Sequence, residues 1–186
     1  MSTSDHVFWI ASRAAGTVAL VLASLAVGVG LLMGGRFVRR PGADLRVLHE
    51  ALSLATLTAI SVHAFSLLGD AFLHPSLLDI LVPFAGAYKP FWTSLGIVSG
   101  WTLAALGLSY YARGRIGAAR WRMLHRFTAL AWIGGVIHGI GQGTDSGEAW
   151  WLLTVGAFVL PAFVLLVARL TTRPSPAPRI AHEPVT

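Results

Sequence analysis

The chain has 186 residues, 55% of them hydrophobic and only 12% charged, with a mean hydropathy of +0.68 and a formal net charge of +6. The charged share is about half that of a soluble domain, which points to an integral membrane protein with no room for a second large domain. The absence of cysteine excludes disulfides, thiolate zinc sites, iron–sulfur clusters, cysteine nucleophiles and covalently attached c-type haem.

Crossing a bilayer takes roughly 20 residues at about 1.5 Å each. Five segments qualify, with uncharged cores at 14–35, 51–68, 90–112, 127–144 and 149–168. The expected fold is therefore an all-α integral membrane bundle of five transmembrane helices, with six as the alternative count. The first span is expected to be retained, because MSTSDHVFWIASR is acidic before it is basic and the apolar run exceeds a signal-peptide core. The second and fourth cores are short, so their helices should extend back through His49 and through Arg122. The stretch 69–89 is too interrupted by Pro75, Asp79 and Pro83 to span, and LLDILVPF within it is expected on the outer interface. Pro161 is expected to kink the fifth helix. The membrane domain covers 1–171, and the Pro-rich, polar tail 172–186 reads as disordered and cytoplasmic.

Five spans sort the cations. Arg36, Arg39, Arg40, Arg46, Arg113, Arg115, Arg120, Arg122, Arg126, Arg169, Arg173 and Arg179 fall on one side. Asp5, Asp70, Asp79, Asp145 and Glu148 fall on the other, with Arg13 and Lys89 as its only bases. The positive-inside rule then sets the N-terminus outside and the C-terminus in the cytoplasm of a cell inner (plasma) membrane protein. A pI of about 11.1 raises nucleic acid as a partner, but these bases flank apolar spans, so the lipid bilayer explains them and no nucleic acid is expected.

Two helices carry paired histidines: LHEALSLATLTAISVHAF holds His49 and His63, and LHRFTALAWIGGVIHG holds His125 and His138. An imidazole in an apolar helix is costly unless both ring nitrogens are satisfied. The second and fourth helices run in the same direction, so His49 matches His125 in depth and His63 matches His138. The two levels lie roughly 20 Å apart. One imidazole from each of two parallel helices suits haem b with two axial histidines. Such a closed coordination shell favours electron transfer over oxygen activation. Two haems b are expected, with His49, His63, His125 and His138 as the iron ligands. Rotation agrees for one helix only. Fourteen residues at about 100° each return to within some 40° of the starting face, but thirteen leave His125 and His138 about 140° apart. A bend or altered twist near Gly134–Gly135, or haems on different sides of the helix, are the two ways out. His6, His74 and His182 read as solvated.

FWIASRAAG, the His49/His63 pair, and WRMLHRF followed by VIHG together resemble the ferric-reductase-like transmembrane domain over roughly residues 8–151. This is the haem-bearing membrane part of NADPH oxidases, metalloreductases and a bacterial methionine-sulfoxide-reductase haem subunit. The resemblance implies transmembrane electron transfer through two b haems held by the four histidines. Family members often have six membrane helices, where five are counted here. The larger reductases carry a flavin and nicotinamide domain that does not follow here, so the electron donor is expected to be a separate flavoprotein or a quinol. The acceptor on the outer side is unidentified, and the chain is expected to act as an oxidoreductase component, with its standing as an enzyme left open. The alternatives are a haem-free proton-coupled transporter with the histidines as relay groups, and an accessory membrane subunit without redox function.

Arg13, about a turn into the first helix, suits an outer haem propionate, with snorkelling to headgroups as the equal alternative. Arg122 and Arg126 flank His125 and suit inner propionates, against ordinary positive-inside charge. Trp9, Trp92, Trp150 and Trp151 read as an outer aromatic belt, Trp132 as core, and Asp145 as a helix cap, with an exit for electrons or protons as its alternative role. GIGQGTDSG follows a membrane helix rather than a strand, so it reads as a helix end and not a nucleotide loop.

Overall fold

The computed structural model describes residues 6–34 and 42–171. Asp5, Arg36, Arg39, Arg40, Arg173, Arg179, His182 and the expected tail lie outside the described residues. The described chain is helical: α1 Val7–Met33, α2 Ala43–Ser66, α3 Leu77–Leu81, α4 Pro90–Leu108, α5 Arg113–Ile116, α6 Ala118–His125, α7 Thr128–Gln142 and α8 Ala149–Thr171. Among the described residues, four helices are long and apolar enough to cross a membrane: α1, α2 with its 3-10 extension to Gly69, the continuous run Pro90–Ile116, and α8.

The remaining expected span, around 127–144, differs from a single helix. It is divided at Arg126–Phe127 into α6, of 8 residues, and α7, of 15 residues. α7 alone would rise only about 22 Å, short of a roughly 30 Å hydrocarbon layer. Pro161 lies inside α8, which continues through it to Thr171. The segment between α2 and α4 does not span. Its short α3 opens with a reciprocal cap, in which the Ser76 hydroxyl accepts from the Asp79 amide and the Asp79 carboxylate accepts from the Ser76 amide. The indole of Trp101 donates to the Leu81 carbonyl at 2.9 Å and ties this segment to α4.

The distribution of side chains is inverted relative to a soluble protein. The buried positions are mostly small, including Ala19, Ala23, Ser24, Ala26, Ala131 and Ala162, whereas Val62, Phe65, Trp101, Leu160, Phe163 and Val164 are exposed. Small residues let helix backbones approach closely where lipid removes the hydrophobic drive for association. Hydroxyls within the helices bond to the carbonyl one turn back, as in Ser24 to Leu20, Ser53 to His49, Thr56 to Leu52 and Thr102 to Val98. This is how a hydroxyl is satisfied away from water.

α1 packs against α2 and α8, and α4 packs against α7. One end of the bundle gathers Arg46, Arg113, Arg115, Arg120, Arg122, Arg126 and Arg169 beside Asp44 and Glu50; the other holds Arg13, Lys89, Asp70, Asp79, Asp145 and Glu148. Contacts at each end fix this sorting. At the basic end the Tyr111 hydroxyl donates to Glu50 at 2.7 Å, and the Arg169 side chain lies against Gly34. At the acidic end Arg13 pairs with Asp145, and Lys89 donates to the Gly141 carbonyl at 3.3 Å.

Candidate functional site

The two central helical segments, α2 and α6–α7, bring four histidines together as two pairs. The His49 and His125 rings lie with centroids 6.2 Å apart and planes 86° apart, at the basic end. Those of His63 and His138 lie 6.1 Å and 74° apart, toward the acidic end. Lower number meets lower and higher meets higher, so α2 and α6–α7 run parallel.

Each imidazole is anchored on its far side by a flanking helix. Nδ1 of His63 bonds to the Ser12 carbonyl at 2.8 Å, and Nδ1 of His49 to the Ala26 carbonyl at 2.9 Å. On α4, the Trp92 carbonyl receives His138 Nδ1 at 2.8 Å and the Leu106 carbonyl receives His125 Nδ1 at 3.4 Å. A carbonyl only accepts, so Nδ1 carries the proton in each ring and the Nε2 lone pair is free. A backbone carbonyl on the second nitrogen is the arrangement that fixes the tautomer and orientation of a metal-ligating histidine. The acceptors on α1 and on α4 are each spaced like the His49/His63 pair, with Ser12 and Ala26 on one and Trp92 and Leu106 on the other. Two antiparallel hairpins thus present their histidines to one another across the bundle.

Glycine makes these anchors possible. A Cβ on Gly16 would meet His63 Nδ1 at 2.9 Å, one on Gly30 would meet His49 Cε1 at 3.0 Å, and one on Gly96 would meet His138 at 2.5 Å. Each of these glycines stands one turn after the anchoring carbonyl residue, where a side chain would cover it. Gly16, Gly30 and Gly96 are not among the site residues expected from the sequence. The available signal was that Gly16 and Gly30 repeat the interval between His49 and His63.

The rotation problem of the second pair is met at an unexpected place. α7 is continuous through Gly134–Gly135, and the irregularity lies instead at Arg126–Phe127. There the amides of Phe127, Ala129 and Leu130 bond to carbonyls three residues back, at 3.0, 3.3 and 3.0 Å. A 3-10 turn advances about 120° per residue rather than 100°, so three or four such residues add roughly 60–80°. The offset between His125 and His138 falls from about 140° to roughly 60–80° by the same arithmetic. Both rings then reach the side facing α2.

Against the basic-end pair lies a small cleft of about 50 Å³, lined by His49 and His125 and by small and apolar residues including Ala23, Ala26, Leu57 and Gly107. The other residues expected at the site are distributed as follows. Arg13 pairs with Asp145, and its guanidinium carbon lies 4.0 Å from the centre of the Trp9 ring. The anion it meets is thus a carboxylate of this chain, and Asp145 serves that ion pair rather than the expected cap. Arg122 and Arg126 are exposed and without an ion-pair partner among the described residues. Trp132 is 1% exposed and donates to the Ser24 hydroxyl at 3.0 Å, within a cluster containing Ala23 and Ala162. Trp150 is exposed, but Trp151 is buried against Leu20 and Val155, so it belongs to the core and not to a surface belt.

Fold and site together define a class: an α-helical bundle with, among the described residues, four membrane-length apolar helices and two cross-bundle histidine pairs. No family model, no curated protein and no solved structure matches the chain.

Proposed function

We propose that the protein is a membrane cytochrome b that carries electrons across the bilayer through two b haems, each held between one histidine of α2 and one of α6–α7. The observation that carries this reading is the pair of ring separations, 6.2 and 6.1 Å. Two imidazoles on opposite sides of one metal have centroids roughly 6.3 Å apart, from a metal–nitrogen bond of about 2.0–2.1 Å and about 1.1 Å from nitrogen to ring centre on each side. Each pair offers only two protein donors, and no group of three or more ligating side chains assembles among the described residues. Two axial imidazoles suit an ion whose remaining positions are filled by a macrocycle, and suit a bare transition metal poorly.

Bound there, haem iron would supply one-electron chemistry in an environment without an open coordination position. The chain's part is to hold the four Nε2 atoms toward the shared axes and to keep Nδ1 protonated against the four carbonyls. Its apolar helices keep water away from both levels. The resemblance to the ferric-reductase-like domain supports the same reading. On it, the arginine-rich end faces the cytoplasm, the donor is a separate flavoprotein or a quinol, and the acceptor lies on the opposite side.

The test is an absorption spectrum of protein purified from haem-replete cells. Sharp low-spin bands on dithionite reduction and about two haems per chain are the expected result. Colourless protein would end this reading in favour of a haem-free relay or an accessory subunit.

A further inference from the structure

Three of the four histidines share one mode of attachment, and the fourth departs from it. His49, His63 and His138 hold their carbonyls at 2.8–2.9 Å, whereas His125 reaches the Leu106 carbonyl only at 3.4 Å. That carbonyl also accepts the Ser109 hydroxyl, at the shorter distance of 2.6 Å. Ser109 in turn accepts the indole N–H of Trp121 at 3.1 Å. The Trp121 ring lies flat on His125, with centroids 4.8 Å apart and planes 25° apart. Among the described residues, no aromatic ring stacks on the other three histidines. Trp121 is itself braced by Tyr110, at 5.7 Å between ring centroids, and Arg113 lies 3.8 Å over that tyrosine.

The chain of donors runs from indole to hydroxyl to carbonyl, with the imidazole arriving as the second and weaker donor at Leu106. A carbonyl bond of ordinary length both orients a ligating imidazole and raises its basicity. At His125 the carbonyl contact is long and its acceptor is shared with Ser109, and the stacked indole is the closer neighbour that can orient the ring.

We propose that Trp121 is a positioning residue for His125, holding the imidazole plane in place of a short carbonyl bond and leaving the basic-end haem with the weaker-donating axial ligand. This rests on haem occupying the pair. A weaker donor stabilises ferric iron less, so the device sets the reduction potential of the basic-end haem above the value a fully bonded His125 would give.

The experiment is a potentiometric titration of the full-length purified protein with optical and electron-paramagnetic detection. The basic-end step is assigned as the one that survives in His138→Ala. Trp121→Leu is expected to broaden or abolish the basic-end low-spin signal while the acidic-end signal stays, and Trp121→Phe, which keeps the stack, to restore it. Ser109→Ala frees the Leu106 carbonyl for His125 and is expected to lower the basic-end midpoint potential alone. An unaltered basic-end signal in Trp121→Leu overturns the proposal. Should Trp121→Leu lose both haems, Ser109→Ala decides: a lowered basic-end potential supports the proposal and an unmoved one overturns it. Wild-type protein without a Soret band would sink the haem reading itself, whereas a loaded wild type with an indifferent Trp121→Leu sinks only this inference.

Discussion

Helix α2 carries His49 and His63 on one unbroken run, whereas α6 and α7 carry His125 and His138 across a break at Arg126–Phe127. A spacing of fourteen returns nearly to the same face of a regular helix, so α2 needs no correction. A spacing of thirteen does not, and the tightened turn supplies much of the missing rotation. The ring separations that result differ by only 0.1 Å, 6.2 against 6.1 Å. What the bundle holds constant is the distance between paired imidazoles, and local helix geometry yields to it.

On the proposed haem reading, the most severe way to break this equivalence is to remove one of the proposed ligands. His63→Ala or His138→Ala should roughly halve the haem content and abolish the acidic-end site, leaving the basic-end site largely intact; a pyridine haemochrome assay measures this. Loss of both haems from every single variant would contradict two separate sites. Nearly as large an effect is expected from inserting one alanine after Phe127, which turns α7 by about 100° relative to α6 and shifts it about 1.5 Å. His138 should then leave His63, with loss of one haem, while an alanine inserted after Thr171 should leave both. A variant with the insertion and two normal haems would show that the break carries no register.

The glycines sharpen the comparison further. Gly96→Ala places a methyl group 2.5 Å from the His138 ring and should displace it, whereas Gly16→Ala and Gly30→Ala, at 2.9 and 3.0 Å, should weaken their sites less. Gly135→Ala has open space around it and serves as the control. Haem content after dialysis against an apo-haem-protein acceptor would rank them, and a Gly135→Ala loss equal to that of Gly96→Ala would refute the steric account. The smallest effect should come from Arg13→Gln. Its ion pair with Asp145 is partly exposed, at 30% and 22% for the two side chains, so about 0.5–1 kcal/mol of stability is expected. A melt in detergent should fall by a few degrees with both haems kept; loss of the acidic-end haem would instead assign Arg13 to a propionate.

Much of this was legible beforehand. The four histidine positions, their pairing by depth and the sorting of charge all follow from where histidine and arginine stand relative to apolar runs. The break was not legible, because LHRFTALAW contains neither Gly nor Pro and reads as ordinary helix. The Arg13–Asp145 pair joins residues more than a hundred positions apart, and local pattern carries no information about such a meeting. Trp151 was misassigned for a related reason: an interfacial tryptophan and a buried one look alike until the neighbouring helix is known. Trp121 stood in plain view as part of WRMLHRF, but stacking depends on a rotation about the α6 axis that only packing determines.

The sequence by itself determined that apolar helices would form and which of them bear imidazoles, because hydropathy and helical periodicity act within a single segment. The tertiary structure alone decided which carbonyl each Nδ1 meets, where the helix tightens and which ring lies on His125. Those outcomes come from backbones meeting at glycine and alanine, and close approach between helices is a property of two segments at once.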